Sequence, residues 1–220
     1  MNVMAIGAHP DDIEFGCSGT LMRHVHANDN VVYVCMTNTE SKSGTTGDVL
    51  RTSDELFEEV KCATDRMGIE TLEFLDFKDL HVPFSFKSVS ELDKIIQRYK
   101  IDTIYTHWAG DANQDHISTF KSTMAAARYV RNVYCYEQIP IPRLTENEMT
   151  INYYVDISDY MEDKIEVAEC HKSQIKKYKK VGFDVPNRLR VLAEFRGIQA
   201  NCRYAEGFHI IKQVDGTYGN

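Results

Sequence analysis

Along residues 2–137, short apolar runs alternate with segments whose apolar residues recur at helical spacing. The runs "NVMAI" (2–6), "NVVYVCMT" (30–37), "TLEFL" (71–75), "DTIYTH" (102–107) and "VYCYE" (133–137) read as strands, being short, β-branched or aromatic. The intervening "CSGTLMRHVHAN" (17–28), "DVLRTSDELFEEVKCATDRMG" (48–68), "SVSELDKIIQRYK" (88–100) and "ISTFKSTMAAARYV" (117–130) read as helices. In the second of these, Leu50, Leu56, Val60, Ala63 and Met67 fall roughly on one face, and Gly68 suits the end. Strands separated by helices are joined by crossovers, which predicts a mostly parallel sheet covered by helices on both faces. Such sheets hold their sites at the carboxyl ends of strands. His9, Thr37–Asn38, Asp76 and His107 stand at those ends.

The later part of the chain differs. "QIPIPRLTENEMT" (138–150) holds two prolines and reads as an irregular crossover. "INYYVDIS" (151–158) reads as a strand running into a helix over 159–180, with Ser158 or Asp159 as its cap. A helix over 188–201 and a strand within 204–213 follow. No repeat and no low-complexity segment interrupts the 220 residues, so the expectation is one domain over 1–220, extended from about residue 150.

Composition excludes several function classes. A net charge of −8 argues against nucleic acid or an acidic membrane surface as a partner. The six cysteines are scattered with no C-x-x-C pair, which reads as buried free thiols in a reducing compartment and not as a thiolate zinc site. No apolar run approaches the ~20 residues of a membrane span, and "MNVMAIGAHPDD" lacks a basic segment followed by a long apolar run. A cytoplasmic protein without a transmembrane segment is the expectation.

The first loop, "AIGAHPDDIEFG" (5–16), crowds His9, Asp11, Asp12 and Glu14 beside Pro10. Imidazole and carboxylate form a partial ligand set for zinc, and a catalytic zinc uses about three protein ligands and an open position. The same carboxylates also suit a turn and the start of a helix. A second cluster, "THWAGDANQDHIST" (106–119), also follows a strand and precedes a helix. It offers His116 as the third ligand, with Asp115 placed to orient a neighbouring histidine.

These residues resemble the LmbE-like deacetylase family, also called PIG-L after its member in glycolipid anchor synthesis. Four landmarks carry the resemblance in order: "AHPDDIEFGCSGTL", the "QDH" of 114–116, "VDISDYMEDKIEVAECHKSQ" (155–174) and "EFRGIQANCRYAEGF" (194–208). The resemblance implies a Rossmann-like three-layer α/β sandwich. It also implies a zinc-dependent N-deacetylase acting on an N-acetylglucosamine-type sugar conjugate, with one zinc per chain. By position His9, Asp12 and His116 would bind the metal and Asp11 would be the general base. Members often form homo-oligomers.

The chain departs from the family pattern at Asn113, where a histidine is usual. Asn113 can donate a hydrogen bond but carries no charge. Three readings follow: Asn113 is a neutral oxyanion donor, His107 supplies the missing imidazole, or the protein binds sugars with impaired catalysis. A different N-acyl amide is a further alternative. A dinucleotide-binding module is disfavoured because "GAHPDDIEFG" is not G-x-G-x-x-G. Ser18 stands where the family has glycine and suits a helix cap. Arg51 lies near the position of a substrate-contacting family arginine, with a spacing that fits poorly. His171 reads as structural or solvated, His24, His26 and His81 as ordinary, and Glu206 as a structural or interface residue. Trp108, Phe84 and Phe86 are candidates for the wall of a sugar site or for packing.

Overall fold

The computed structural model describes residues 1–38, 40–42, 46–139 and 148–216. In chain order the elements are β1 (Asn2–Gly7), α1 (Asp12–His26), β2 (Asn30–Thr37), β3 (Ser41–Lys42), β4 (Val49–Arg51), α2 (Ser53–Met67), β5 (Thr71–Phe77), α3 (Phe86–Tyr99), β6 (Thr103–Thr106), α4 (Gln114–Ala126), β7 (Asn132–Tyr136), β8 (Tyr153–Asp156), α5 (Met161–Glu169), α6 (Lys172–Lys179), α7 (Val185–Ala200) and β9 (Ala205–Lys212). Seven strands form one sheet in the order β5-β2-β1-β6-β7-β9-β8. The first five are parallel, and β9 and β8 are antiparallel to their neighbours. The expected mostly parallel α/β sheet is what the chain builds.

Alternation along β1 sorts the two cores. Val3 and Ala5 pack with Val31, Tyr33, Leu56 and Val60 on the α1 and α2 side. Met4 and Ile6 pack with Val32, Val34, Leu92 and Ile96 on the α3 side. A strand buried on both faces reads as a continuous apolar run, as "NVMAI" and "NVVYVCMT" do. The chain leaves β1 toward β2 and β5, then returns to lay β6 on the other side of β1. That reversal opens a crevice beyond the carboxyl ends of β1 and β6, where open α/β sheets bind ligands.

The C-terminal segments close the sheet against α1. Lys164 of α5 donates to Glu206 of β9 at 2.6 Å and to the Phe15 carbonyl at 2.9 Å. Glu206 in turn accepts the backbone N–H groups of Gly19 and Thr20. Glu206 is therefore structural, as expected. Gly16 lets α1 approach the sheet: a Cβ there would lie 2.4 Å from the Tyr136 ring.

Several boundaries differ from the sequence reading. The segment 48–68 is not one helix. Thr52 and Glu55 form a reciprocal capping box, so α2 begins at Ser53. Residues 49–51 instead pair with β3, which leaves Leu50 outside the apolar face of α2. Gly68 ends α2 in the left-handed conformation, as expected (φ 73). The segment 159–180 is two helices, because His171 leaves helical geometry at ψ 61 and buries its ring. Neither Ser158 nor Asp159 caps α5; the Ser158 hydroxyl donates to Asp156 at 2.6 Å. Ser18 lies inside α1 and back-bonds to the Glu14 carbonyl at 2.7 Å. The crossover read over 138–150 lies mostly outside the described residues.

The cysteines also depart from expectation. Cys17, Cys35 and Cys135 are buried and free and Cys202 is partly exposed, but Cys62 and Cys170 form a disulfide. Packing of α5 against α2 brings their Cα atoms to 5.7 Å, ordinary disulfide spacing. No helix among the described residues is long and apolar enough to cross a membrane.

Candidate metal centre and active site

The loop between β1 and α1 is locked through its backbone. Ala8 donates its N–H to His107 Nε2 at 2.9 Å and accepts from the Thr37 hydroxyl at 2.9 Å. His9 donates its N–H to Asp12 Oδ2 at 2.7 Å, and the Pro10 carbonyl accepts from Arg51 at 3.1 Å. Held at these points, the chain passes through Asp11 at φ 121. A non-glycine residue there carries strain of roughly 1–3 kcal/mol, which the surrounding bonds must offset. Such strain gathers at functional sites, and Asp11 lines the same cavity as the candidate ligands.

Three side chains converge beside that turn. His9 Nδ1 lies 3.5 Å from Asp12 Oδ2, and His116 Nε2 lies 3.3 Å from Asp12 Oδ1. The three donors group closely enough to hold one ion. A tetrahedral site with bonds of about 2.0 Å needs donors roughly 3.3 Å apart, so the set fits a small dication such as zinc. The outer nitrogens are occupied by carboxylates: His9 Nε2 lies 3.0 Å from Asp115 and 3.2 Å from Asp79, and His116 Nδ1 lies 3.0 Å from Asp111. A carboxylate on the outer nitrogen fixes the ring and leaves the inner nitrogen to the metal. Gln138 donates to Asp12 Oδ1 at 3.0 Å and steadies the third ligand.

The electrostatics have the same sense. Burial opposes charge on His116, yet the Asp12 and Asp111 carboxylates outweigh it and raise its pKa to about 9. His9 is raised likewise against burial by Asp115, Asp12 and Asp79. Asp12 is held well below the usual carboxylate range, against burial, chiefly by the charge of His116. The pocket therefore favours positive charge, which a dication would supply while displacing protons. Burial, with the charge of Asp12 beside it, pushes Asp11 up to about 6. That value suits a group that takes up and returns a proton near neutrality.

These residues line a cavity of about 540 Å³ that opens between the β3–β4 hairpin, the start of α4 and α6. His9, Asp11, Asp12, Asn113 and His116 all border it. Asn113 is the N-cap of α4: its Oδ1 accepts the Asp115 N–H at 2.8 Å, so hydrogen-bond donation from this side chain falls to its amide N–H₂. His107 is not on the cavity wall. It is fully buried, stacks on His116 at 4.0 Å and 16°, and burial together with the charge of His116 lowers its pKa to about 4. His107 supports the loop from beneath. Near-parallel rings also cannot aim both lone pairs at one ion, so the alternative grouping of His107, Asp111 and His116 fits a metal poorly.

Other expectations shift by a residue or an element. Asp76 is exposed, and Asp79, beyond the longer β5, meets His9 instead. Arg51 borders the cavity, so the poor spacing of the sequence conceals a real placement. The T-x-x-E capping signal at 52–55, read as a helix start, would have put Arg51 at that edge. None of the three expected aromatics lines the cavity. Trp108 packs on His209 at 4.7 Å, and Phe84 and Phe86 are exposed. Tyr178, Lys177 and Gln174 of α6 line it instead; Gln174 ends the third family landmark, whereas Lys177 and Tyr178 lie beyond it. His171 is buried, with Nε2 3.0 Å from Glu14, and is structural without being solvated. His24 and His26 bond Tyr105 and Tyr160, away from the site.

Comparisons with known proteins give the family and the fold. The profile of the family PIG-L, described as GlcNAc-PI de-N-acetylase, matches residues 4–127. An uncharacterized deacetylase, YaiS, of Escherichia coli (strain K12) is 32% identical over 141 residues, 61% of this chain and 72% of its own length. The diacetylchitobiose deacetylase of Thermococcus kodakarensis is 27% identical over 233 residues, covering 96% of this chain and 84% of that protein. A solved structure, the zinc-inhibited form of teicoplanin deacetylase Orf2, superposes with TM-score 0.81 over 99% of this chain and 100% of that one. At 15% identity it is a likeness of fold.

Proposed function

The chain belongs to the PIG-L family of de-N-acetylases, and on that premise we propose that it is a metal-dependent amidohydrolase that removes the N-acetyl group from an amino-sugar conjugate. The observation that carries this reading is the convergence of His9, Asp12 and His116 on one point, with Asp11 beside them, in a cavity. His9, Asp12 and His116 would hold the ion, with zinc the proposed metal. When bound, a dication there would polarise the amide carbonyl and acidify a water.

The remaining steps belong to the chain's own groups. Asp11, beside the trio on the cavity wall, takes a proton from the attacking water as the water oxygen bonds to the amide carbon. The carbonyl oxygen gains negative charge, and the Asn113 amide N–H₂ donates to it as a neutral partner. The C–N bond then breaks. An amine anion is a poor leaving group, so the proton on Asp11 passes to nitrogen as it departs. Acetate and the free amino sugar result. His107, neutral and buried behind Asp12, stays out of the proton path.

The homologues named for diacetylchitobiose and the family description both point to acetylated glucosamine units, which supports this substrate class. A panel of N-acetylated sugars and conjugates, scored for free amine with protein stripped of metal and then reloaded with zinc, tests the reading. Metal-dependent amine release from at least one sugar is the expected outcome. Its absence across the panel in zinc-loaded protein would leave a sugar-binding role in its place.

A further inference from the structure

Helix α6 stands apart from the other elements bordering the cavity. Gln174 is the one fully buried residue of its eight, and Ile175 and Tyr178 are half-buried against the small cluster of Phe15, Val185 and Leu189. Three other ties hold it. The Cys62–Cys170 disulfide joins the residue just before the helix break to α2. Ser173 donates its N–H and its hydroxyl to Glu59 of α2, at 2.6 and 2.8 Å. The intervening His171 is buried against Glu14 of α1 at 3.0 Å.

This tethered helix faces the metal-binding loop across the cavity. Histidines aside, Tyr178 is the one aromatic residue among those described that line the cavity. Its ring is steadied by Phe183, with centroids 5.6 Å apart. Lys177 lies 5.3 Å from the same ring and donates to Gln174 Oε1 at 3.2 Å. It borders the same cavity as Asp11 and Asp79. Ligand sites are commonly an aromatic surface with a few convergent polar groups, and α6 offers that combination a short distance from the amide-cleaving groups.

We propose that α6 is the specificity wall of the site. The Tyr178 ring takes the apolar face of a sugar, Gln174 and Lys177 hydrogen-bond its hydroxyls, and the Cys62–Cys170 pair positions that wall against the catalytic loop. The proposal rests on the N-deacetylase reading for its substrate class. It goes beyond that reading in assigning the residues that choose the substrate and the covalent tie that places them.

The test compares zinc-loaded wild type with Tyr178→Phe, Tyr178→Ala and the double variant Cys62→Ser/Cys170→Ser, using N,N'-diacetylchitobiose. Tyr178→Ala should raise KM about tenfold with kcat within about threefold, the pattern of lost uniform binding, while Tyr178→Phe keeps KM within about twofold. The double variant should raise KM several-fold, retain its zinc, and speed hydrogen exchange at amides 172–179 by about tenfold. Reduction of the wild type with a water-soluble phosphine should reproduce that exchange. The disulfide then takes two electrons and two protons, and the phosphine becomes its oxide with oxygen from water.

Equal KM in wild type and Tyr178→Ala overturns the wall, as does a Tyr178→Phe defect matching that of alanine. Unchanged exchange in the double variant overturns the tether. Calorimetric binding of the same disaccharide in an Asp11→Asn background reads the Tyr178 comparison without turnover. Amine release failing while Tyr178-dependent binding holds would sink the hydrolase reading alone. Absence of binding there would overturn the assigned ligand.

Discussion

The imidazole of His107 accepts the backbone N–H of Ala8 at 2.9 Å, which ties the end of β6 to the loop carrying His9, Asp11 and Asp12. A nitrogen that accepts is unprotonated, so His107 is neutral, in line with a pKa lowered to about 4 by burial and by His116. The positive charge of the stacked pair sits on His116, against Asp12 and Asp111. His107→Leu leaves the Ala8 N–H unpaired in the core, a loss of about 1–3 kcal/mol. In a chain of this size each kcal/mol lowers Tm by roughly 2–4 °C. The loosened Asp12 should also weaken metal binding by about 10–100-fold. Thermal unfolding of the metal-free protein and a zinc titration read the two effects separately. A variant unchanged in both would show that His107 does not hold the loop.

Asp11 takes no part in the ligand trio but shares its turn. Asp11→Asn keeps the shape and removes the base, so kcat should fall by about 10²–10⁴. Zinc stoichiometry should stay at the wild-type value, since His9, Asp12 and His116 are untouched. Loss of metal together with activity would mean that Asp11 belongs to the ligand set. Retained activity would pass the role of base to another group.

The sheet was legible because its strands are buried on both faces and read as apolar runs set between amphipathic helices. The convergence of His9, Asp12 and His116 was legible because each cluster follows a strand and precedes a helix. What escaped depended on contacts distant in sequence. Cys62 and Cys170 are 108 residues apart, and only packing of α5 on α2 brings them together. Asp79 replaced Asp76 because β5 runs on to Phe77, which moves the carboxyl end of the strand toward Asp79. Arg51 was obscured because apolar Leu50 suggested a helix already under way, while the Thr52–Glu55 box starts α2 later. For Trp108 the sequence left a sugar-site wall and packing both open, and contact with His209 decides for packing.

His171 gives a pH dependence independent of the metal ligands. Glu14 of α1 faces its Nε2, Glu59 of α2 lies 3.9 Å from Nδ1, and the charges of Asp11 and Arg51 also reach it. Burial lowers its pKa, but Glu14 and Asp11 raise it further, so the folded value lies above the ordinary 6.5. A group raised on folding contributes stability that is fully present below the unfolded value of about 6.5. That contribution is lost as pH rises through the folded value. Wild-type protein should therefore lose stability on going from pH 6 to mildly alkaline pH, and His171→Gln should flatten that slope. Urea unfolding at stepped pH in the presence of chelator measures both. Parallel slopes in the two proteins would show that His171 carries no linked proton.

Lys164 and Glu206 make the strongest case for a buried pair that serves the fold and leaves the chemistry alone. Both side chains are almost fully buried, 2.6 Å apart. Lys164 also donates to the Phe15 carbonyl, while Glu206 accepts from Gly19, Thr20 and the Thr20 hydroxyl. The pair thus fastens α5 and β9 to the helix that follows the loop carrying His9 and Asp11. Lys164→Met strands a buried carboxylate among backbone donors, and removing one partner of such a pair typically costs about 3–5 kcal/mol. Glu206→Gln keeps an acceptor for the α1 amides but leaves Lys164 uncompensated, so its loss should be of similar size. Combining the two restores charge balance, and the double variant should be less destabilised than the sum of the singles. Guanidinium unfolding of the four proteins completes the cycle. Additive losses would mean that the two side chains act on α1 separately, through their own backbone contacts, and that their mutual attraction adds nothing.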